Sequence, residues 1–409
     1  MSRSGPLATL LVACLLLAGA SPARADDVPL PPGDILGFTP YPPAPDVLPT
    51  PPAPSGRQLG PSTFAAQHRF GAAERSSTGP SCRVGGQIFS NFHLPTSRFE
   101  PEGFDLTRAR IYANGVFNQT WSGRVVLNTR ALTLLGAAGK VVTLSHDALL
   151  KMAYLQAQGL LPGSRIQMGM IVSPWFEYES SAWGYRMLGL VPSAGGFTAT
   201  PGPSLVPFYD LGLSLAGNED LFDVPSFFGY ALAVTNGEGN TATETDGQLD
   251  YEGRLTLQPV PGLEFTGIAH KGNPGGAGPA FERYAGLVLI RGGWGRLAAE
   301  GNWSHDDGPG GIGDGRILGA WAVIHLPFFP LPTQLVLRGD RIDGGPTPAG
   351  AIDLAPADGF RYETIAGIAF KPVRQITLML DNENADWHRV DGSAYRNTDQ
   401  VALNTQVTF

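Results

Sequence analysis

Asp399-Gln400-Val401-Ala402-Leu403-Asn404-Thr405-Gln406-Val407-Thr408-Phe409, the last eleven residues, decide the fold. Val401, Leu403, Val407 and Phe409 share one parity, with Thr405 among them. Ala402, Asn404, Gln406 and Thr408 share the other. Apolar residues at every second position define a strand, because successive side chains of an extended chain point to opposite sides. An amphipathic helix needs a repeat near 3.6 instead.

The pattern returns upstream. Leu249, Tyr251, Gly253, Leu255 and Leu257 alternate with Asp250, Glu252, Arg254, Thr256 and Gln258. Tyr209, Leu211, Leu213 and Leu215 alternate with Asp210, Gly212 and Ser214. Ile166, Met168, Met170 and Val172 alternate with Arg165, Gln167 and Gly169. From Val84 onward about sixteen such runs follow one another, near 84–94, 104–115, 119–130, 147–158, 164–173, 207–217, 226–236, 246–259, 263–273, 281–292, 294–305, 316–327, 332–343, 359–371, 374–386 and 399–409. Each approaches the ~10 residues with which a tilted strand crosses a membrane. A sandwich would have to bury all these apolar faces in one core. A closed barrel turns them to lipid, turns the polar faces to water and pairs every backbone group. The expectation is an all-β, transmembrane antiparallel barrel of about sixteen strands over residues 81–409.

The connections support this parse. With the first strand rising from the periplasm, the turns at 116–118, 159–163, 218–225, 260–262, 293, 327–331 and 372–373 are short. Those at 95–103, 131–146, 174–206, 237–245, 274–280, 306–315, 344–358 and 387–398 are longer. Short turns on one side and long loops on the other are the asymmetry of transmembrane barrels.

Composition narrows the function. A net charge of −8 and a pI near 5.4 argue against a nucleic-acid partner. The N-terminus reads as a secretory signal over residues 1–25: Arg3, an apolar core from Leu7 to Ala18, and the small-x-small site Ala23-Arg24-Ala25. Leu11-Val12-Ala13-Cys14 offers a competing lipoprotein cleavage in which Cys14 carries lipid. With cleavage after Ala25, Cys82 is the only cysteine left and no intrachain disulfide is expected. Residues 26–80 are Pro-rich, as in Pro40-Tyr41-Pro42-Pro43-Ala44-Pro45, and predict an extended, largely disordered periplasmic arm. A sharper reading makes that arm a tether to the cell wall.

Gly103-Phe104-Asp105-Leu106-Thr107-Arg108-Ala109-Arg110-Ile111, then Trp121-Ser122-Gly123 and Ala153-Tyr154-Leu155, resemble the phosphate-selective porin O/P family of bacterial outer-membrane porins. So do Arg165 to Gly169 with Ser173-Pro174, Trp183-Gly184-Tyr185-Arg186, and Asp210-Leu211-Gly212. The resemblance covers roughly 84–409. It implies a water-filled channel in the outer membrane for small hydrophilic or anionic solutes. It further implies a homotrimer, a third external loop folded into the lumen, and a terminal aromatic, Phe409, read by the barrel insertion machinery. The third connection here, 174–206, is the longest. One departure bears on the solute: phosphate-selective members line their channel with many Lys and Arg, whereas this chain has only Lys140, Lys151, Lys271 and Lys371.

Alternation nominates the lining. Arg108, Arg110, Arg124, Arg130, Lys151 and Arg165 fall on inward positions, with no acid beside them on the early strands. The third loop carries Glu177, Glu179 and Arg186. A cationic wall facing loop carboxylates sets a transverse field that orders water and favours charged solutes. The later strands mix Asp210, Asp250, Glu252, Glu300, Asp340, Glu363, Asp381 and Glu383 with Arg254, Arg296, Arg338 and Arg361.

No enzyme, cofactor or metal site is expected. Ser304-His305-Asp306 are sequence neighbours whose side chains alternate between faces, so they cannot form a triad. The seven His show no ligand spacing. Gly308-Pro309-Gly310-Gly311-Ile312-Gly313 matches a nucleotide-loop pattern by letter, with no helix to follow. The competing class is a structural or anchoring barrel with a plugged lumen, valued for its periplasmic arm.

Overall fold

A computed structural model describes residues 80–95, 103–135, 141–188, 191–194, 205, 207–221, 224–239, 247–273, 280–306, 315–344, 359–388 and 394–409. The expected signal segment, and the expected arm up to residue 79, lie outside the described residues. So do 307–314, which hold the glycine-rich match.

Sixteen strands close on themselves. They are β1 (Ser81–Pro95), β2 (Gly103–Val116), β3 (Trp121–Leu135), β4 (Val141–Gln158), β5 (Ser164–Val172), β6 (Tyr209–Leu221), β7 (Val224–Thr235) and β8 (Asp250–Val260). Then follow β9 (Leu263–Gly272), β10 (Phe281–Gly292), β11 (Gly295–Asp306), β12 (Gly315–His325), β13 (Thr333–Gly344), β14 (Phe360–Val373), β15 (Ile376–His388) and β16 (Ala394–Thr408). Each pairs antiparallel with its sequence neighbours, and β1 pairs with β16 to complete a closed barrel. At the seam the Gly86 N–H donates to the Phe409 carbonyl at 2.9 Å, and the Phe409 N–H donates back to the Gly86 carbonyl at 3.0 Å.

Burial runs opposite to that of a soluble protein. Along β8, Asp250, Glu252, Arg254 and Thr256 are buried, while Tyr251, Leu255 and Leu257 are exposed; Tyr251 is 57% exposed and Arg254 only 2%. The apolar face looks outward, as a strand facing lipid requires. Short and long connections alternate except between β3 and β4, whose link 136–140 is no longer than the 159–163 link after it; the turn after β10 is as short as expected, with Gly292 paired to Gly295. Gly295 takes φ +136°, and a Cβ there would run into the Val323 carbonyl of β12.

Several boundaries differ from the sequence reading. β6 and β7 run closer together than a 218–225 turn allows, ending at Leu221 and restarting at Val224. β3 and β4 extend into the expected 131–146 loop, because a hairpin protruding beyond a membrane keeps its own ladder. The third connection also contains a helix, α1 (Pro174–Trp183), where alternation suggested only loop. Its start is well specified. The Phe176 N–H donates to the Ser173 hydroxyl at 3.2 Å, Pro174 occupies the first helical position, and Glu177 lies in the first turn. Gly184, at φ 76°, ends it in the left-handed conformation, with its N–H bonded to the Ser180 carbonyl. Two short 3-10 turns follow, at Arg186–Leu188 and Pro192–Ala194.

Candidate functional site: a cationic wall and a helical strap

Arg108 and Arg110 stand two apart on β2 and therefore share its inner face. Arg110 is opposite Gln87 of β1 and reaches its Oε1 at 3.5 Å. Arg124 follows on β3, buried, with the Tyr112 ring 5.2 Å from its Cζ. Lys151 owes its place to a bulge: Val126 pairs with Met152 and Leu127 with Leu150, leaving Lys151 unopposed and buried. Arg110, Arg124, Lys151 and Arg165 are all buried. Arg130 lies on β3 at a position whose side chain is outside the described residues.

These cations are not all neutralised. Arg165 makes an ion pair with Glu177 at 2.7 Å. Arg108, Arg110 and Lys151 make no ion pair with a carboxylate among the described residues. Elsewhere on the inner face several cations are paired. Arg338 pairs with Asp340 at 2.5 Å and Arg361 with Glu363 at 2.8 Å, each along one strand at spacing two. Asp250 holds His270 at 3.1 Å. The spacing-two pair on β2 is instead Arg-Ala-Arg, two like charges held side by side.

The segment from Ser173 to Ser193 is tied to residues of many strands. Ser173 donates to Glu252 at 3.1 Å, and the Trp175 N–H donates to the same carboxylate. Arg254 donates to the Pro174 carbonyl at 3.1 Å, and Tyr178 donates to Glu264 at 2.9 Å. Arg296 donates to the Trp183 carbonyl at 2.9 Å, and Tyr185 donates to Gln334. Trp183 meets Trp321 edge to face at 5.5 Å. Sequence reasoning named Glu252, Arg254 and Arg296 as inward charges, but not Glu264 or Gln334, and not their task of gripping α1. The signal was present in the carboxylates and guanidinia grouped on β8, β9 and β11.

Glu177 and Glu179 were expected to face the Arg wall together. They do not. Two residues apart on a helix they diverge by about 200°. Glu177 turns to Arg165. Glu179 accepts from the Ser193 N–H at 3.2 Å and from the Ser193 hydroxyl, and shares a side-chain hydrogen bond with Glu300. Burial raises the Glu179 pKa above the ordinary glutamate value, and the Ser193 hydrogen bonds oppose that rise. Arg186 donates to the Ser180 hydroxyl at 3.2 Å and lies over the Phe176 ring at 4.6 Å. Burial, reinforced by the Arg108 charge, brings its pKa down to about 10, so it stays charged at neutral pH.

The barrel superimposes on solved outer-membrane proteins. Salmonella typhi OmpF, in complex with daunomycin, matches with a TM-score of 0.57 at 13% identity, over 81% of this chain and 98% of that one. The fold is that of a sixteen-stranded outer-membrane barrel. An anion-selective porin from Comamonas acidovorans matches with a TM-score of 0.52 at 13% identity, over 81% of this chain and 100% of that one. OmpT of Vibrio cholerae, in trimer form, matches with a TM-score of 0.51 at 9% identity, over 81% and 100%. No family model matches the sequence, and no curated protein does. The barrel fold is therefore established on geometry, without a sequence family to narrow its role.

Proposed function

We propose that this chain is an outer-membrane porin, a water-filled channel for passive diffusion of small hydrophilic solutes with a preference for anions. In this reading the described part of the third connection, residues 173–188, lies across the lumen as the constriction, and Arg108, Arg110, Arg124, Lys151, Arg165 and Arg186 line it, with Glu177 on Arg165 and Glu179 turned to Ser193. The observation that carries it is the Arg-Ala-Arg of β2, reinforced by Lys151. Like charges held together without a carboxylate cost stability, and their use is to attract what is not part of the chain. Support for the strap inside the lumen comes from its partners on β8 and β9, Glu252, Arg254 and Glu264, which are buried polar residues alternating with exposed apolar ones. The same proposal includes insertion in outer-membrane lipid, recognition of Phe409 by the insertion machinery, a periplasmic arm that meets the cell wall, and assembly as a homotrimer.

The test is reversal potential in a planar bilayer under a KCl gradient. Wild type is expected to prefer chloride, and Arg110→Gln with Lys151→Gln to move the potential toward potassium. The shift shrinks with salt, as the Debye length falls from about 10 Å at 0.1 M to about 3 Å at 1 M. A potential that ignores both substitutions at low salt refutes the assignment. A plugged, structural barrel has one observation in its favour: inner-face side chains such as Gln87, Asn302 and Asn404 are almost wholly buried. Absence of any conductance selects that reading.

A further inference from the structure

The unneutralised cations share a property that charge does not explain: each lies over an aromatic ring. Arg108 and Arg110 place their Cζ atoms 5.9 and 5.3 Å from the centroid of the same ring, Phe89. Phe89 pairs directly with Arg108 across β1 and β2, so the register fixes the stack. Lys151 Nζ is 4.6 Å from the Tyr209 centroid, and Arg186 Cζ is 4.6 Å from that of Phe176. Phe176 and Tyr209 touch edge to face at 5.8 Å. Two sources of aromatic surface therefore flank one cluster of cations.

The hydrogen-bonding capacity of that cluster is unspent. Arg108 Nη1, Arg110 Nε and Nη2, Arg186 Nε and the Tyr209 hydroxyl are buried without a hydrogen-bond partner among the described residues. Arg110 is 3% exposed, Tyr209 5% and Arg186 7%. Buried donors are normally satisfied, and leaving one unmet costs as much as a lost bond. A guanidinium stacked on a ring by one face keeps its other face and its N–H edge for a ligand.

We infer that the site selects aromatic carboxylates. This rests on the channel reading above and names its preferred solute. The carboxylate oxygens accept from the unspent N–H groups of Arg110 and Arg108 and from the Tyr209 hydroxyl. The attached ring covers the guanidinium faces and the apolar flank of Phe89 and Tyr209. Inorganic phosphate carries more acceptors but no surface for the rings, which exclude the water it would keep. An aliphatic carboxylate satisfies the donors and leaves the aromatic flank uncovered. No bond is made or broken; the solute dwells and passes.

The experiment compares block of the chloride current by benzoate, acetate and phosphate at fixed ionic strength in the wild-type full chain. Stacking and cation–π contact predict half-block by benzoate at roughly tenfold lower concentration than by acetate. Phe89→Leu and Tyr209→Leu bring that ratio toward one. Tyr209→Phe, which keeps the ring, retains most of it. Equal block by benzoate and acetate in the wild type overturns the inference and leaves the anion channel standing. Tighter block by phosphate than by benzoate overturns it as well. A channel with no chloride preference refutes the underlying reading instead, before any aromatic solute is added.

Discussion

Trp183→Ala reports most directly on whether the strap is seated in the lumen. Trp183 is 1% exposed. Its ring lies 5.5 Å from Trp321 and 5.9 Å from Tyr185, and the Arg338 Cζ sits 5.3 Å from its centroid. A buried tryptophan covers ~150–250 Å², which at ~25 cal/mol per Å² is about 4–6 kcal/mol. Measured aromatic-to-Ala costs are about 3–5 kcal/mol. At about 1.4 kcal/mol per decade, the lower figure alone reduces the ratio of seated to unseated strap roughly a hundredfold. The strand ladders are untouched, so the heat-modifiable folded band on electrophoresis should persist. Single-channel records should show a larger open level and added noise as the strap leaves the constriction. Trp294→Ala, at the exposed turn after β10, is the control and should change neither. Conductance and noise identical to wild type in Trp183→Ala would mean that the strap does not set the pore.

Glu177→Gln strands Arg165 in a mostly buried site, where breaking such a pair costs about 3–5 kcal/mol; reversal potential should move toward chloride, and an unmoved potential would place this pair away from the ion path. The raised Glu179 pKa gives a pH dependence with a definite sign. The seated strap binds a proton more readily than an ordinary glutamate does, so seating strengthens as pH falls through the raised value and stops strengthening below the ordinary one. Channel noise should therefore decline on acidification in that window, and Glu179→Gln should abolish the change; noise that declines equally in the variant assigns the effect elsewhere. Deleting Phe409 removes two backbone hydrogen bonds across the seam, about 0.5–1.5 kcal/mol each, together with the terminal aromatic. The membrane-inserted, heat-modifiable form should drop at equal synthesis, and an unchanged yield rules the residue out as an assembly signal.

Much of the barrel was legible because lipid leaves the chain little choice. A strand with lipid on one side and polar surroundings on the other must alternate, and β8 and β16 do so residue by residue. Inward charges could be read the same way, since Arg108 and Arg110 share a parity. What alternation cannot register is local geometry. The bulge that turns both Lys151 and Met152 inward breaks the parity rule on which the assignment rests. Helix α1 was missed although Ser173-Pro174 and Gly184 are ordinary start and stop signals. The ten residues between them were too few to show a repeat against the surrounding strands. The split between Glu177 and Glu179 followed from that omission: extended backbone puts them on one face, and helix sends them apart.

The strands from β10 to β14 carry a departure from alternation that bears on the proposed seating of the strap. In β10, Leu287 and Leu289 are buried while Val288 and Ile290 are exposed, so both faces are apolar. Ala298, Trp321, Val323, Val336 and Ile365 continue the buried apolar surface on neighbouring strands, and Trp183, Tyr185, Met187 and Leu188 join it in one cluster. Lipid asks for an apolar outer face, but nothing in lipid asks for an apolar inner one. Bare to water, an inner Leu or Trp loses the ~1.5–3 kcal/mol that burying it provides. The inner apolar patch is therefore a seat, and the continuous run Leu287-Val288-Leu289-Ile290 is its trace in the sequence. In the proposed reading the strap's apolar side is committed to that seat. Phe176 and Arg186 then lie toward the unneutralised wall of β2 and β4, where the proposed reading puts the solute.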